Sequence, residues 1–162
     1  MDYYPGLPLY LGVDFGYRNP FACLWIQPVA GGERVVVLNE YYQRLRTTAE
    51  NGRAILAQHH SCGYGPITGV YADPSNPEGQ AVLAEVLGVE VWALRKSVKD
   101  GQELVRQWMK LRPDGLPGLL IHHRCKNLIR ELNGYFRHEP GQGEHHAVDA
   151  LRYFFAGWPG AD

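Results

Sequence analysis

No apolar run approaches the roughly 20 residues a membrane-spanning helix needs, and the chain does not open with a basic segment followed by an apolar one. Neither a membrane nor a secretory role is therefore expected. The three cysteines, Cys23, Cys62 and Cys125, are odd in number, widely spread and form no CxxC pair. That argues against a disulfide framework or a zinc ribbon and for a reducing compartment. The histidine pairs His59–His60 and His122–His123 have no cysteine or carboxylate at a recognised zinc spacing either. Bulk positive charge is missing too: 16 basic against 17 acidic residues give a net charge of -1, so nucleic acid would not be held by charge alone. No GxxxxGK[ST] phosphate loop, internal repeat or low-complexity segment occurs. With 162 residues and 45% hydrophobic content, a single domain over 1–162 with a sizeable core is expected.

The apolar pattern changes period along the chain. "PLYLGVDF" (8–15), "FACLWIQ" (21–27) and "GGERVVVLNEYY" (31–42) are strand-like runs separated by turn clusters, which predicts an antiparallel three-stranded meander. Helical spacing begins at "TTAENGRAILAQHH", where Thr47 and Glu50 have capping-box spacing. A fourth strand, "ITGVYADP" (67–74), leads to a helix with Asn76 as N-cap and Pro77 at its first position. A fifth strand (89–94), a helix over 100–111 capped by Asp100, an extended run over 118–123 and helices over 125–136 and 145–158 complete the chain. Strands alternating with helices after a meander predict an α/β fold, with parallel strands added to a mixed sheet and helices on both faces. Trp92 and Trp108 are expected in the core.

Local charge differs from the average. Arg95, Lys96, Lys99, Arg106, Lys110, Arg112, Arg124, Lys126, Arg130 and Arg137 crowd into residues 95–137. They are either ordinary solvated faces or, together, the lining of a groove.

Three aspartates are unusual. Asp149 lies in the otherwise apolar "EHHAVDALRYFF", Asp14 ends the first strand in "YLGVDFG", and Asp73 ends the fourth in "GVYADPS". A carboxylate in apolar surroundings needs a cation, a donor or a metal. If the first and fourth strands are parallel neighbours, Asp14 and Asp73 emerge at one sheet edge and a helix carrying Asp149 can close the third side. Three converging carboxylates call for hard divalent cations, Mg2+ or Mn2+. Two such ions about 3.5–4 Å apart are suited to phosphodiester hydrolysis. Each residue also has an ordinary alternative: Asp14 capping the "FGYRNP" turn, Asp73 making an Asx-turn before Pro74, Asp149 pairing with Arg152 or a histidine.

"LGVDFG", "VYADPS", "RKSVKDG" and the closing "HHAVDALRYF" resemble the nuclease domain of the large terminase subunit of tailed bacteriophages, a ribonuclease H-like fold, over nearly the whole chain. The resemblance implies a metal-dependent endonuclease that cuts double-stranded viral DNA during packaging, with Asp14, Asp73 and Asp149 as the metal-binding triad. Family members often carry an aspartate where this chain has His145, while His146 matches the family's usual histidine. His145 is then a neutral ligand, proton shuttle or orienting group, or simply faces solvent, and Glu144 could supply the missing charge. The "K...DG" block suggests phosphate contacts from Lys96 or Lys99, with Arg95, Arg124 and Lys126 as further DNA-binding candidates. With no phosphate loop present, the chain resembles the C-terminal part of a longer motor-nuclease protein. Its implied partners are the ATPase motor, the portal and the small terminase subunit, in the host cell cytoplasm. Other readings are a junction resolvase or transposase-like nuclease of the same fold, an actin-like ATP-binding domain built on "LGVDFG", or a noncatalytic DNA-binding module.

Overall fold

The computed structural model describes residues 3–93, 96–135 and 144–162. Strands β1 (Tyr10–Asp14), β2 (Phe21–Val29) and β3 (Arg34–Gln43) form the antiparallel meander. Helix α1 (Thr48–Ser61) follows, then β4 (Gly69–Ala72), α2 (Pro77–Leu87), β5 (Val91–Trp92), α3 (Val98–Met109), β6 (Leu119–Ile121), α4 (Lys126–Tyr135) and α5 (His146–Gly157). The six strands form one sheet in the order β5-β4-β1-β2-β3-β6, with β4 parallel to β1, β5 parallel to β4 and β6 parallel to β3. The mixed sheet predicted from the sequence is the one observed.

Period-two alternation divides the sheet into two apolar faces. On β2, Ala22, Leu24 and Ile26 pack with α3, α4 and α5, while Phe21, Cys23 and Trp25 belong to the opposite cluster, with Ile55 of α1 and Leu83 of α2. Helices therefore cover both faces. Trp108 is buried, stacked on Phe155, and Trp92 is half-buried against Tyr71. Among the described residues no helix is long and apolar enough to cross a membrane.

Helix starts are fixed by side-chain acceptors. Thr47 and Glu50 form the expected capping box, and Asn76 accepts from Gly79 N. The cap of α3 differs from expectation: Ser97, not Asp100, accepts the orphan N–H, from Asp100 at 3.0 Å. A serine three residues earlier offers the same bond, and Asp100 then favours the positive end of the helix from inside its first turn. Helix α4 is capped from a strand: Glu40 of β3 accepts from Asn127 N at 3.0 Å and Leu128 N at 2.9 Å.

The helix that matters most, α5, lies across β1. A Cβ at Gly12 would run into the carbonyl oxygen of Ala150, so only glycine allows this approach. The expected elements keep their order, each with ends shifted by a few residues, and Phe136, at the end of the predicted 125–136 helix, lies outside the described residues.

Candidate metal and nucleic-acid site

The sheet brings two of the three aspartates together without help from side-chain packing. Val13 of β1 is registered with Ala72 of β4, and Asp73 N donates to Val13 O at 3.3 Å, so Asp14 and Asp73 are neighbours at the strand ends. Alternation puts Asp14 on the face of Tyr10 and Gly12, and Asp73 on that of Tyr71. This is the face that α5 covers. Because Ala150 sits against Gly12, Asp149 arrives beside Asp14.

The electrostatics follow from that placement. Asp14 is 7% exposed, and its carboxyl is pushed up to about 6, chiefly by burial. A hydrogen bond with His146 opposes the shift, and the charges of Asp149 and Asp73 add to it. Nδ1 of His146 lies 3.2 Å from Asp14 Oδ2, and this contact raises the histidine above its usual range. Burial raises Asp149 as well, with Arg152 opposing. Tyr153, which sequence reasoning passed over, is raised by burial and then by the charges of Asp14, Asp73 and Asp149, with Arg152 opposing.

Each carboxylate already has a partner. Asp14 has His146. Asp73 makes the Asx-turn, accepting from Ser75 N at 2.8 Å and Ser75 Oγ at 2.7 Å. Asp149 accepts from Nε and Nη2 of Arg152, both at 3.2 Å. Among the described residues no group of three or more histidine, cysteine, aspartate or glutamate side chains is arranged to hold a metal ion. The ordinary alternatives for Asp73 and Asp149 are thus present alongside the convergence.

Two supports were not visible in the sequence. The N-cap of α5, His145, makes no side-chain cap bond. Buried Glu131 of α4 substitutes for it, accepting from Val148 N at 3.0 Å and from Tyr42 Oη at 2.7 Å. Gly101, in the "KDG" block, lies against the stem of Arg152, where a Cβ would collide with its Cγ. The block thus serves α5 through close packing.

The remaining candidates scatter. The His145 ring stands edge-on to Tyr135 at 5.1 Å and its Nδ1 is buried without a partner among the described residues. Lys96 pairs with Asp162 at 3.3 Å, and Lys99 is exposed in the first turn of α3. Arg124 contacts His122, and Lys126 is exposed at the start of α4. That start is anchored to Glu40, whose register through Leu24 leads to Gly12, two positions back from the Asp14 edge. Arg95 lies outside the described residues. Glu144 is taken up by Arg44 at 2.9 Å and Arg130 at 3.3 Å.

The meander extended by parallel strands, with helices on both faces, has the fold of the solved nuclease domains of bacteriophage large terminases. No family model matches the chain. Over 155 residues it is 26% identical to the terminase large subunit of Escherichia phage T5, an alignment that takes in 88% of this chain and 34% of that protein. The chain therefore spans about a third of its curated relative. The P22 large terminase nuclease domain superposes with a TM-score of 0.76, covering 96% of this chain and 84% of that one at 14% identity. The g2p (large terminase) nuclease domain of bacteriophage SPP1, solved with bound Mn, superposes with a TM-score of 0.64, covering 91% and 85% at 20% identity.

Proposed function

We propose that this chain is the nuclease domain of a longer phage large terminase and that it cuts double-stranded DNA during genome packaging by metal-dependent phosphodiester hydrolysis. The observation that carries the reading is the meeting of Asp14 and Asp73 on adjacent parallel strands beneath the helix bearing Asp149. The donor chemistry fits a hard divalent cation. The oxygens are carboxylates, burial raises Asp14 to about 6 with the charges of Asp149 and Asp73 adding to it, and a cation there would favour the ionised form.

In this reading Asp14, Asp73 and Asp149 hold Mg2+ or Mn2+, two ions in all, which when bound supply a nucleophilic water and offset charge on the reacting phosphate. His146 orients the Asp14 carboxylate through Nδ1 and holds a proton beside it. His145 is an orienting residue through its buried ring. Arg152 occupies Asp149 until a cation does so. Lys96, Lys99, Arg95, Arg124 and Lys126 are proposed contacts to flanking DNA, and the motor domain, portal and small subunit are proposed partners in the host cytoplasm.

Supercoiled plasmid incubated with the chain and Mn2+ should be nicked, and Asp14→Asn or Asp73→Ala should abolish nicking while leaving the circular dichroism spectrum unchanged. Nicking by either variant at the wild-type rate would refute the assignment.

A further inference from the structure

Two loops at the acidic edge are built as one unit. The β1–β2 turn leaves Asp14 and presents Tyr17 and Arg18, and the segment after β3 presents Arg44, Leu45 and Arg46. Leu45 N donates to Tyr17 O at 2.7 Å, and Arg44 Nη1 donates to Arg18 O at 3.0 Å. Leu45 is a non-glycine residue at φ 61, a conformation unfavourable for a leucine, yet its side chain is 66% exposed and Tyr17 beside it is 54% exposed. An unfavourable backbone that holds an apolar side chain out in water gains nothing for the core, and such outliers gather at functional sites.

Charge fits the same picture. Arg18 is exposed and makes no side-chain hydrogen bond or ion pair among the described residues, and exposed Arg46 makes one side-chain bond, to Tyr41 Oη at 3.3 Å. Arg44 is partly neutralised by Glu144, which also faces Arg130 and Tyr42 Oη, and Glu50 is held in the capping box. Glu144 links the rim directly to the start of α5, two residues before His146. Between the rim and the first turns of α1 and α2 lies a cavity of about 370 Å3 lined by Phe15, Tyr17, Arg46, Thr47 and Asn76.

We infer that this rim is the surface that grips duplex DNA beside the cut. Arg18 and Arg46 bind backbone phosphates, and Leu45 and Tyr17 rest against the groove. Arg44 holds the two loops together rather than contacting DNA. The inference rests on the nuclease reading, since it takes its ligand from the neighbouring acidic edge. It shifts the main grip away from the lysine-bearing segment after β5, where Lys96 is already occupied by Asp162. Phosphate contacts of this kind release counterions and make affinity fall with salt.

Fluorescence anisotropy with a short labelled duplex in EDTA measures binding without cutting. Arg18→Ala combined with Arg46→Ala should weaken binding at least about tenfold at low salt and make the log–log salt slope shallower by about 2. Leu45→Gly should also bind more weakly while its melting temperature stays the same or rises, because glycine accepts this φ freely. Lys110→Ala, at the far end of α3, should bind like wild type. In Mn2+ nicking assays the double arginine variant should raise KM with little change in kcat. Wild-type affinity and KM in the double variant, with nicking intact, would overturn the rim and spare the nuclease reading. A wild-type chain that neither binds duplex nor nicks plasmid would remove both.

Discussion

Asp149 shares one carboxylate oxygen between Nε and Nη2 of Arg152 at 3.2 Å each, a pair one helical turn apart on the inner side of α5. An internal guanidinium thus stands where the proposed reading needs a metal. The contact has an order of strength that can be measured. Arg152→Gln leaves a partly buried carboxylate short of its counter-charge and should cost about 1–3 kcal/mol of stability. Mn2+ should then restore more of the melting temperature in the variant than it adds to wild type, since it binds a carboxylate with no competitor. Equal Mn2+-induced shifts in the two proteins would show that Arg152 and the ion do not compete.

Glu131 is expected to act on the site from a distance. Glu131→Ala strips the acceptor from buried Val148 N and the nearer of two acceptors from half-buried Tyr42 Oη, at a cost of about 2 kcal/mol. Glu131→Gln keeps an oxygen for Val148 and should lose less. Urea denaturation measures the stability term, and the nicking rate should follow the order wild type, Gln, Ala.

Gly12→Ala tests the seating of α5. The added methyl meets the Ala150 carbonyl, and overpacking of this kind costs about 1–3 kcal/mol. The displacement should also separate Asp149 from Asp14, so Mn2+-dependent nicking should fall even at temperatures where the variant remains fully folded. A stable variant with wild-type nicking would mean the third acid does not need this approach.

His59 predicts an acid-side loss of stability away from the site. Its Nδ1 accepts from Trp25 Nε1 at 3.1 Å and its Nε2 lies 2.7 Å from Gly65 O, so the neutral ring is the one that fits. Burial lowers its pKa. The unfolded ring titrates near 6.5, so the folded state binds fewer protons and this stabilisation is present above about pH 6.5 and lost as pH falls below it. Urea midpoints at mildly acidic and neutral pH should differ more for wild type than for His59→Gln, which cannot protonate but keeps a donor and an acceptor.

Much of this was legible in the order of residues. Alternating apolar positions and turn clusters gave the meander, and the capping box at Thr47 and the Asn76–Pro77 start gave two helices, because these signals are local. Asp14, Asp73 and Asp149 stood out because a charge in an apolar run is visible at any range. The cap at Ser97 was missed because Asp100, an equally good capping residue, lay nearby. Glu131 and Gly101 could not be found: one serves a helix start 17 residues away, the other a side chain 51 residues away, and neither leaves a local pattern.

Composition and spacing by themselves determined which elements form and which carboxylates cannot rest easily in them, since both depend on neighbours within a few residues. Ser75 and Arg152 likewise answer Asp73 and Asp149 from their own turn and helix. Only the tertiary structure decided that the three acids meet. It set His146, 132 residues away, beside Asp14 and raised an arginine-bearing rim over the same edge, because these pairings come from strand register and helix approach, which act between residues far apart in the chain.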